Sequence, residues 1–154
     1  MKTILDFSIA PRKLYESILE PVCKEHSIAQ TELLILMFLA DHPGIDTAKE
    51  ILLYLPFTKS HISMTVRTLE EKGYLTGEYK NGNRRTIHLA LCDSAKPLID
   101  EGHVARDKFM DCILKDFKKS EKDQFKDYLE RIFDNIRFMS DESGTGEPKL
   151  LLPL

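Results

Sequence analysis

The chain has 154 residues, 42% hydrophobic and 31% charged, which suits one compact domain and excludes a long multidomain enzyme. With 22 basic against 25 acidic side chains the net charge is −3, so any nucleic-acid-binding surface must be a local concentration of bases. The 3 cysteines, Cys23, Cys92 and Cys112, are far apart and form no Cys-x-x-Cys pair, which argues against a disulfide framework or zinc knuckle and for a reducing cytoplasm.

The apolar run Leu33 to Ala40 is too short to span a bilayer, and MKTILDFSIAPRK has no secretory pattern, so a cytoplasmic protein is expected. Pro11 suits the first turn of a helix, and Leu14, Tyr15, Ile18, Leu19, Val22 and Cys23 recur at helical spacing behind it. Pro21 predicts a kink or mobile hinge in that helix. Gln30 to Asp41 reads as a helix apolar nearly all round, ended by His42, Pro43 and Gly44 and therefore central to the core.

A third helix, Thr47 to Leu55, is predicted with Asp46 or Thr47 as its cap and Pro56 as its stop. Thr58 then caps a fourth helix running to Lys72, with Gly73 placed for the left-handed turn that ends it. Tyr74 to Tyr79 and Thr86 to Leu91 have strand-forming residues around an Asn81-Gly82 turn, which predicts a β-hairpin. Asp93 or Ser94 caps a long helix, Ala95 to Phe117, and Ser120 opens a last one whose Phe125, Tyr128, Leu129, Ile132, Phe133, Ile136 and Met139 form a stripe in need of a partner. Residues 140–154 read as a flexible tail with an apolar end, Leu150 to Leu154.

Three helices, a turn, a fourth helix and a hairpin make a winged helix-turn-helix, whose fourth helix enters the DNA major groove. The fold class is thus mainly α with a small β-hairpin wing. On the fourth helix Ile62, Val66 and Leu69 share the inward face, while Ser60, Ser63, Met64 and Arg67 lie opposite, with Thr58, Lys59 and His61 at the helix start where phosphates are favoured. Arg67 suits guanine O6 and N7, and Ser60, Ser63 and Thr65 suit phosphate or less selective base contacts. The wing adds Lys80, Asn81, Asn83, Arg84 and Arg85, suited to an adjacent minor groove. From Thr58 to Ala90 the bases Lys59, Arg67, Lys72, Lys80, Arg84 and Arg85 face the acids Glu70, Glu71 and Glu78, a local +3 that leaves about −6 elsewhere.

In the helix-turn-helix Thr47 to Lys72, the segment LEEKGYL at Leu69 to Leu75 and the wing NGNRRTIHLAL at Asn81 to Leu91, the chain resembles the MarR (multiple antibiotic resistance regulator) family of transcription factors. The family's usual Asp-Arg-Arg in the wing is Asn83-Arg84-Arg85 here, and Met64 stands where an arginine is frequent. The resemblance implies a single domain over residues 1–139, with a DNA-binding lobe at about 28–92 and dimerisation helices at about 8–26 and 95–139. It further implies a homodimer on a pseudo-palindromic operator, acting as a repressor released by a small aromatic effector, with Tyr15, Phe38, Phe109 and Met110 as candidate cavity residues.

Two alternatives stand beside that reading: a winged-helix module that docks protein instead of specific DNA, and a regulator that senses oxidants through Cys23 or Cys112. Both cysteines fall in apolar stripes, where cysteine acts as a small hydrophobe. No catalytic motif is present, so no enzyme is expected, and no cofactor. His26, His42, His61, His88 and His103 lack close ligand spacing, so no metal site is expected unless residues distant in sequence assemble one.

Overall fold

The computed structural model describes residues 4–80, 82 and 85–143, with side chains described throughout these except at 4–8, 133 and 136–143. Helices α1 (Ile4–Glu25), α2 (Gln30–Asp41), α3 (Ala48–Ile51) and α4 (Lys59–Glu71) precede strands β1 (Leu75–Tyr79) and β2 (Ile87–Leu91). Helices α5 (Lys96–Ile113) and α6 (Lys119–Ser143) complete the order. A mainly helical chain with one antiparallel hairpin is the expected winged-helix class.

Helix α2 forms the centre: Leu33, Ile35, Leu36, Met37, Phe38 and Leu39 are all buried, joined by Leu19 and Cys23 of α1, Ile62 and Leu69 of α4, and Leu98 and Ile99 of α5. Its apolar circumference is the reason, since a helix without a polar face can only be stable when covered on every side. Gly102 lets α5 lie close against α2, because a Cβ there would come within 2.6 Å of the Met37 sulfur.

Helix α1 begins at Ile4 and runs through both Pro11 and Pro21, so Pro11 is not in the first turn and no break occurs at Pro21. Each proline removes one backbone donor, and buried Leu19 and Cys23, together with the ring contact of Tyr15 on Phe109 of α5 at 5.1 Å, hold the helix in spite of that. Helix α1 ends in a left-handed turn at Ser27, φ 52°, where the Ile28 N–H donates to the Cys23 carbonyl and the Ser27 N–H to the Lys24 carbonyl.

Four further boundaries differ from the sequence reading. Helix α3 closes at Ile51, and tighter turns carry the chain on to Leu55, with bonds from the Leu53 N–H to Glu50 and from the Tyr54 N–H to Ile51. Neither Asp93 nor Ser94 caps α5: a short 3-10 turn spans Asp93–Ala95, and the Ser94 hydroxyl donates to the Gly73 carbonyl at 2.6 Å. Helix α5 stops at Ile113 rather than Phe117, and a left-handed Asp116, φ 67°, turns the chain into α6. Helix α6 extends to Ser143, into what reads as a tail, while residues 144–154 lie outside the described residues.

Candidate nucleic-acid interface

Helix α4 is fixed at both ends before any ligand is considered. The Thr58 hydroxyl accepts the His61 N–H at 3.2 Å, the expected N-cap. At the other end Gly73, φ 76°, donates to the Glu70 carbonyl and the Tyr74 N–H to the Leu69 carbonyl, which satisfies the last turn and swings the chain into β1. Buried Ile62, Thr65 and Leu69 then lock the rotation of α4 about its axis.

That rotation leaves Thr58, Lys59, Ser60, His61, Ser63, Met64 and Arg67 exposed together, with Met64 70% accessible. Large exposed Met64 beside small hydroxyls is a surface with no intramolecular use for its apolar atom. Thr65 is a correction: it is buried, and its hydroxyl bonds back to the His61 carbonyl at 2.9 Å, so it does not face outward with Ser60 and Ser63. His61 rests edge-on against Phe57, ring centroids 5.2 Å apart.

The local charge is more compensated than its count implies. Arg67 Nε donates to Glu71 Oε1 at 3.0 Å on the same helix face; the Arg67 side chain stays 82% exposed, so the pair is weak and can open to an anion. Lys72 is turned away: its Nζ lies 2.7 Å from buried Glu32 and 3.1 Å from the Ser27 carbonyl, a tie from α4 to α2. The Glu32 carboxylate also accepts the Ala29 N–H at 2.8 Å, so this buried charge is both paired and hydrogen-bonded.

Strands β1 and β2 pair from Leu75 with Leu91 to Tyr79 with Ile87. The hairpin is clasped from its middle to its turn end by Asp46, which precedes α3: Lys80 Nζ donates to Asp46 Oδ2 at 2.8 Å, His88 Nδ1 lies 2.7 Å from Oδ1, and the Leu89 N–H donates to the Asp46 carbonyl at 2.7 Å. The Lys80 hydrogen bond, helped by His88 and opposed by burial, holds the Asp46 carboxyl below the usual carboxylate range. The same bond pushes the Lys80 ammonium above its ordinary value. Asp46 thus anchors the wing to the segment that leads into α3. Arg85 is exposed at the tip, Gly82 turns there with φ 73°, and Asn81, Asn83 and Arg84 lie outside the described residues.

Asp46, His88, Glu32 and Glu71 were not singled out as functional by the sequence reading. Only the Arg67–Glu71 pair carried a signal, its four-residue helical spacing; the wing clasp joins residues 34 and 42 positions apart, and spacing along the chain says nothing about it.

The other candidates fall elsewhere. Tyr15 packs on Phe109, whereas Phe38 stacks on His42 at 4.5 Å and meets Tyr54 at 5.6 Å, so the proposed cavity aromatics belong to two groupings. Burial pushes the Tyr15 hydroxyl up to about 12, with Arg106 opposing and Asp41 adding, so it is a neutral donor at neutral pH. Cys23 is buried, and burial with Glu32 and Glu20 nearby pushes its thiol up, away from the reactive thiolate. Cys112 is exposed, not packed in an apolar stripe as expected.

Comparison with known proteins places this geometry. Residues 26–85 match the model of the MarR family, a span from the end of α1 to the wing. A MarR family transcriptional regulator from Listeria monocytogenes, solved with a 26-mer DNA, superposes with TM-score 0.77 at 22% identity over 94% of this chain and 97% of that one. MepR of S. aureus, solved with DNA, gives TM-score 0.66 at 18% identity over 84% and 93%. The organohalide-sensing regulator RdhR-CbdbA1625, bound to 2,4-dichlorophenol, gives 0.64 at 12% identity over 85% and 77%. No curated protein sequence matches the chain significantly.

Proposed function

We propose that this chain, whose residues 26–85 match the MarR family model, is a regulator of that type: a sequence-specific DNA-binding repressor that works as a homodimer on a pseudo-palindromic operator. The observation that carries the reading is the outward face of α4. Lys59, Ser60, Ser63, Met64 and Arg67 stand exposed in one row on a helix whose rotation is locked by buried Ile62 and Leu69. Thr58, Lys59 and His61 at the helix start meet phosphate, Arg67 leaves Glu71 for a guanine edge, and the wing, with Lys80, Asn81, Asn83, Arg84 and Arg85, follows the neighbouring minor groove. Neighbours of the same fold solved with DNA support DNA as the partner.

In this reading residues 1–139 act as one domain, with the lobe at about 28–92 and dimerisation helices on either side. An effector of small aromatic type, in keeping with the dichlorophenol-bound neighbour, favours a lobe spacing that mismatches the half-sites and so lowers DNA affinity.

Selection of bound duplexes from a random pool, followed by titration at several salt concentrations, tests the assignment. A palindrome should emerge whose half-sites lie about 10 bp apart. Arg67→Ala should cost about 1–3 kcal/mol and relax the sequence preference, while Arg84→Ala weakens all sequences alike and flattens the salt slope. Weak salt-sensitive binding with no enriched sequence would instead favour a protein-docking module.

A further inference from the structure

We propose that Glu25, His26 and Glu101 form a binding site for one first-row divalent cation of the zinc type, stapling the end of α1 to α5. The fold brings Glu101 to the Glu25-His26 pair across 75 positions of sequence, so no local spacing announces the cluster. One donor atom from each residue lies within 4.8 Å of the other two, and His26 Nε2 is 3.0 Å from Glu101 Oε2. Tetrahedral bonds of about 2.0–2.1 Å place neighbouring ligand atoms roughly 3.3 Å apart, so only small side-chain movements are required. An imidazole with two carboxylates is a donor set that takes zinc and its neighbours, and three protein ligands leave a fourth position for water.

Two features of the backbone prepare the place. The left-handed Ser27, with its bonds from Ile28 to Cys23 and from Ser27 to Lys24, fixes the turn in which Glu25 and His26 stand. The same turn is the C-terminal end of a 22-residue helix, whose dipole favours a cation. The neighbouring base Lys24 pairs with Glu20 at 2.7 Å rather than with Glu25. His26 is half-buried and Glu25 exposed, which gives the ion both a fixed ligand and a way in. A cation here would set the crossing of α1 on α5 at residue 26, where the matched winged-helix segment begins.

The test is direct binding to the full chain, independent of DNA. Chelator-treated protein is titrated with Co²⁺ by visible absorption and with Zn²⁺ by calorimetry. The expected result is one cation per chain, with ligand-field bands but no thiolate charge transfer, and a rise in melting temperature with added Zn²⁺. His26→Gln, Glu101→Gln and Glu25→Gln should each weaken binding at least about tenfold, the cost already typical of losing an outer-shell partner. Their melting in chelator should match the wild type; if His26→Gln does not fold, the two glutamate variants decide. Absence of binding, affinity unchanged in the folded variants, or a thiolate band would overturn the site.

Discussion

In α4 the apolar residues Ile62 and Leu69 are buried and every polar end is capped, whereas in the much longer α6 Tyr128 and Ile132 are half exposed and no described side chain is buried. The first helix is explained by its own lobe; the second is not. A 25-residue helix spans about 37 Å and derives most of its stability from packing an amphipathic face, so α6 needs cover that a single copy does not supply. Exposed Ile9 on α1 and Val104 on α5 point the same way. A second copy of the chain is the occupant that the proposed homodimer provides, and the contrast predicts different responses to mutation in the two regions.

The largest effect is expected inside the closed region. Leu69→Ala removes a fully buried side chain between α4 and α2 and should cost about 2–5 kcal/mol of unfolding free energy, read from denaturant melts at constant m. That loss should not depend on protein concentration. Ile132→Asp puts a charge on the uncovered face and should leave the lobe's melt nearly unchanged while weakening dimerisation by about 2 kcal/mol, roughly 30-fold in Kd, by sedimentation. If Ile132→Asp stays as dimeric as the wild type, this face of α6 is not the contact, and the comparison between the regions fails.

Sequence legibility follows the same division. Thr58, Gly73, the left-handed Gly82 and the α2 apolar run are readable because caps, left-handed turns and fully covered helices are local demands met by local residue types. The start of α1 was not, because tertiary packing on α5 outweighs the penalty at Pro11 and Pro21. Thr65 was assigned outward on residue type, yet its hydroxyl is satisfied within its own helix, which lets it be buried. The wing clasp at Asp46 and the Glu25, His26 and Glu101 cluster are contacts between distant segments and leave no period or motif behind. Phe133, Ile136 and Met139, which continue the expected α6 stripe, have side chains outside the described ones.

A smaller effect sharpens the picture of α4 as self-contained. Thr58→Ala removes the hydroxyl that accepts the His61 N–H and should cost about 1 kcal/mol, with exchange quickened at the first turn of α4 and not at Leu69. A Thr58→Ser variant, which keeps the acceptor, should recover most of the loss. Equal losses in the two variants would mean that the cap bond is not what holds the start of the helix.

The smallest effect concerns the wing clasp, which lies at the surface. Asp46 has a folded-state pKa below its unfolded value, about 3.9, so its contribution is complete above that pH and is lost as pH falls through the folded value. Lys80 has the opposite shift, so its share is complete below its unfolded value of about 10.4 and is lost as pH rises through the folded one. Carboxyl NMR should therefore place the Asp46 midpoint below that of an unfolded aspartate, and Lys80→Met should move it back upward while leaving the His88 contact in place. The stability difference between wild type and Asp46→Asn should shrink as pH falls through the folded Asp46 value. An Asp46 that titrates normally would show that the Lys80 bond does not hold the wing, leaving the Leu89 backbone bond and buried Leu75 and Leu89 to do so.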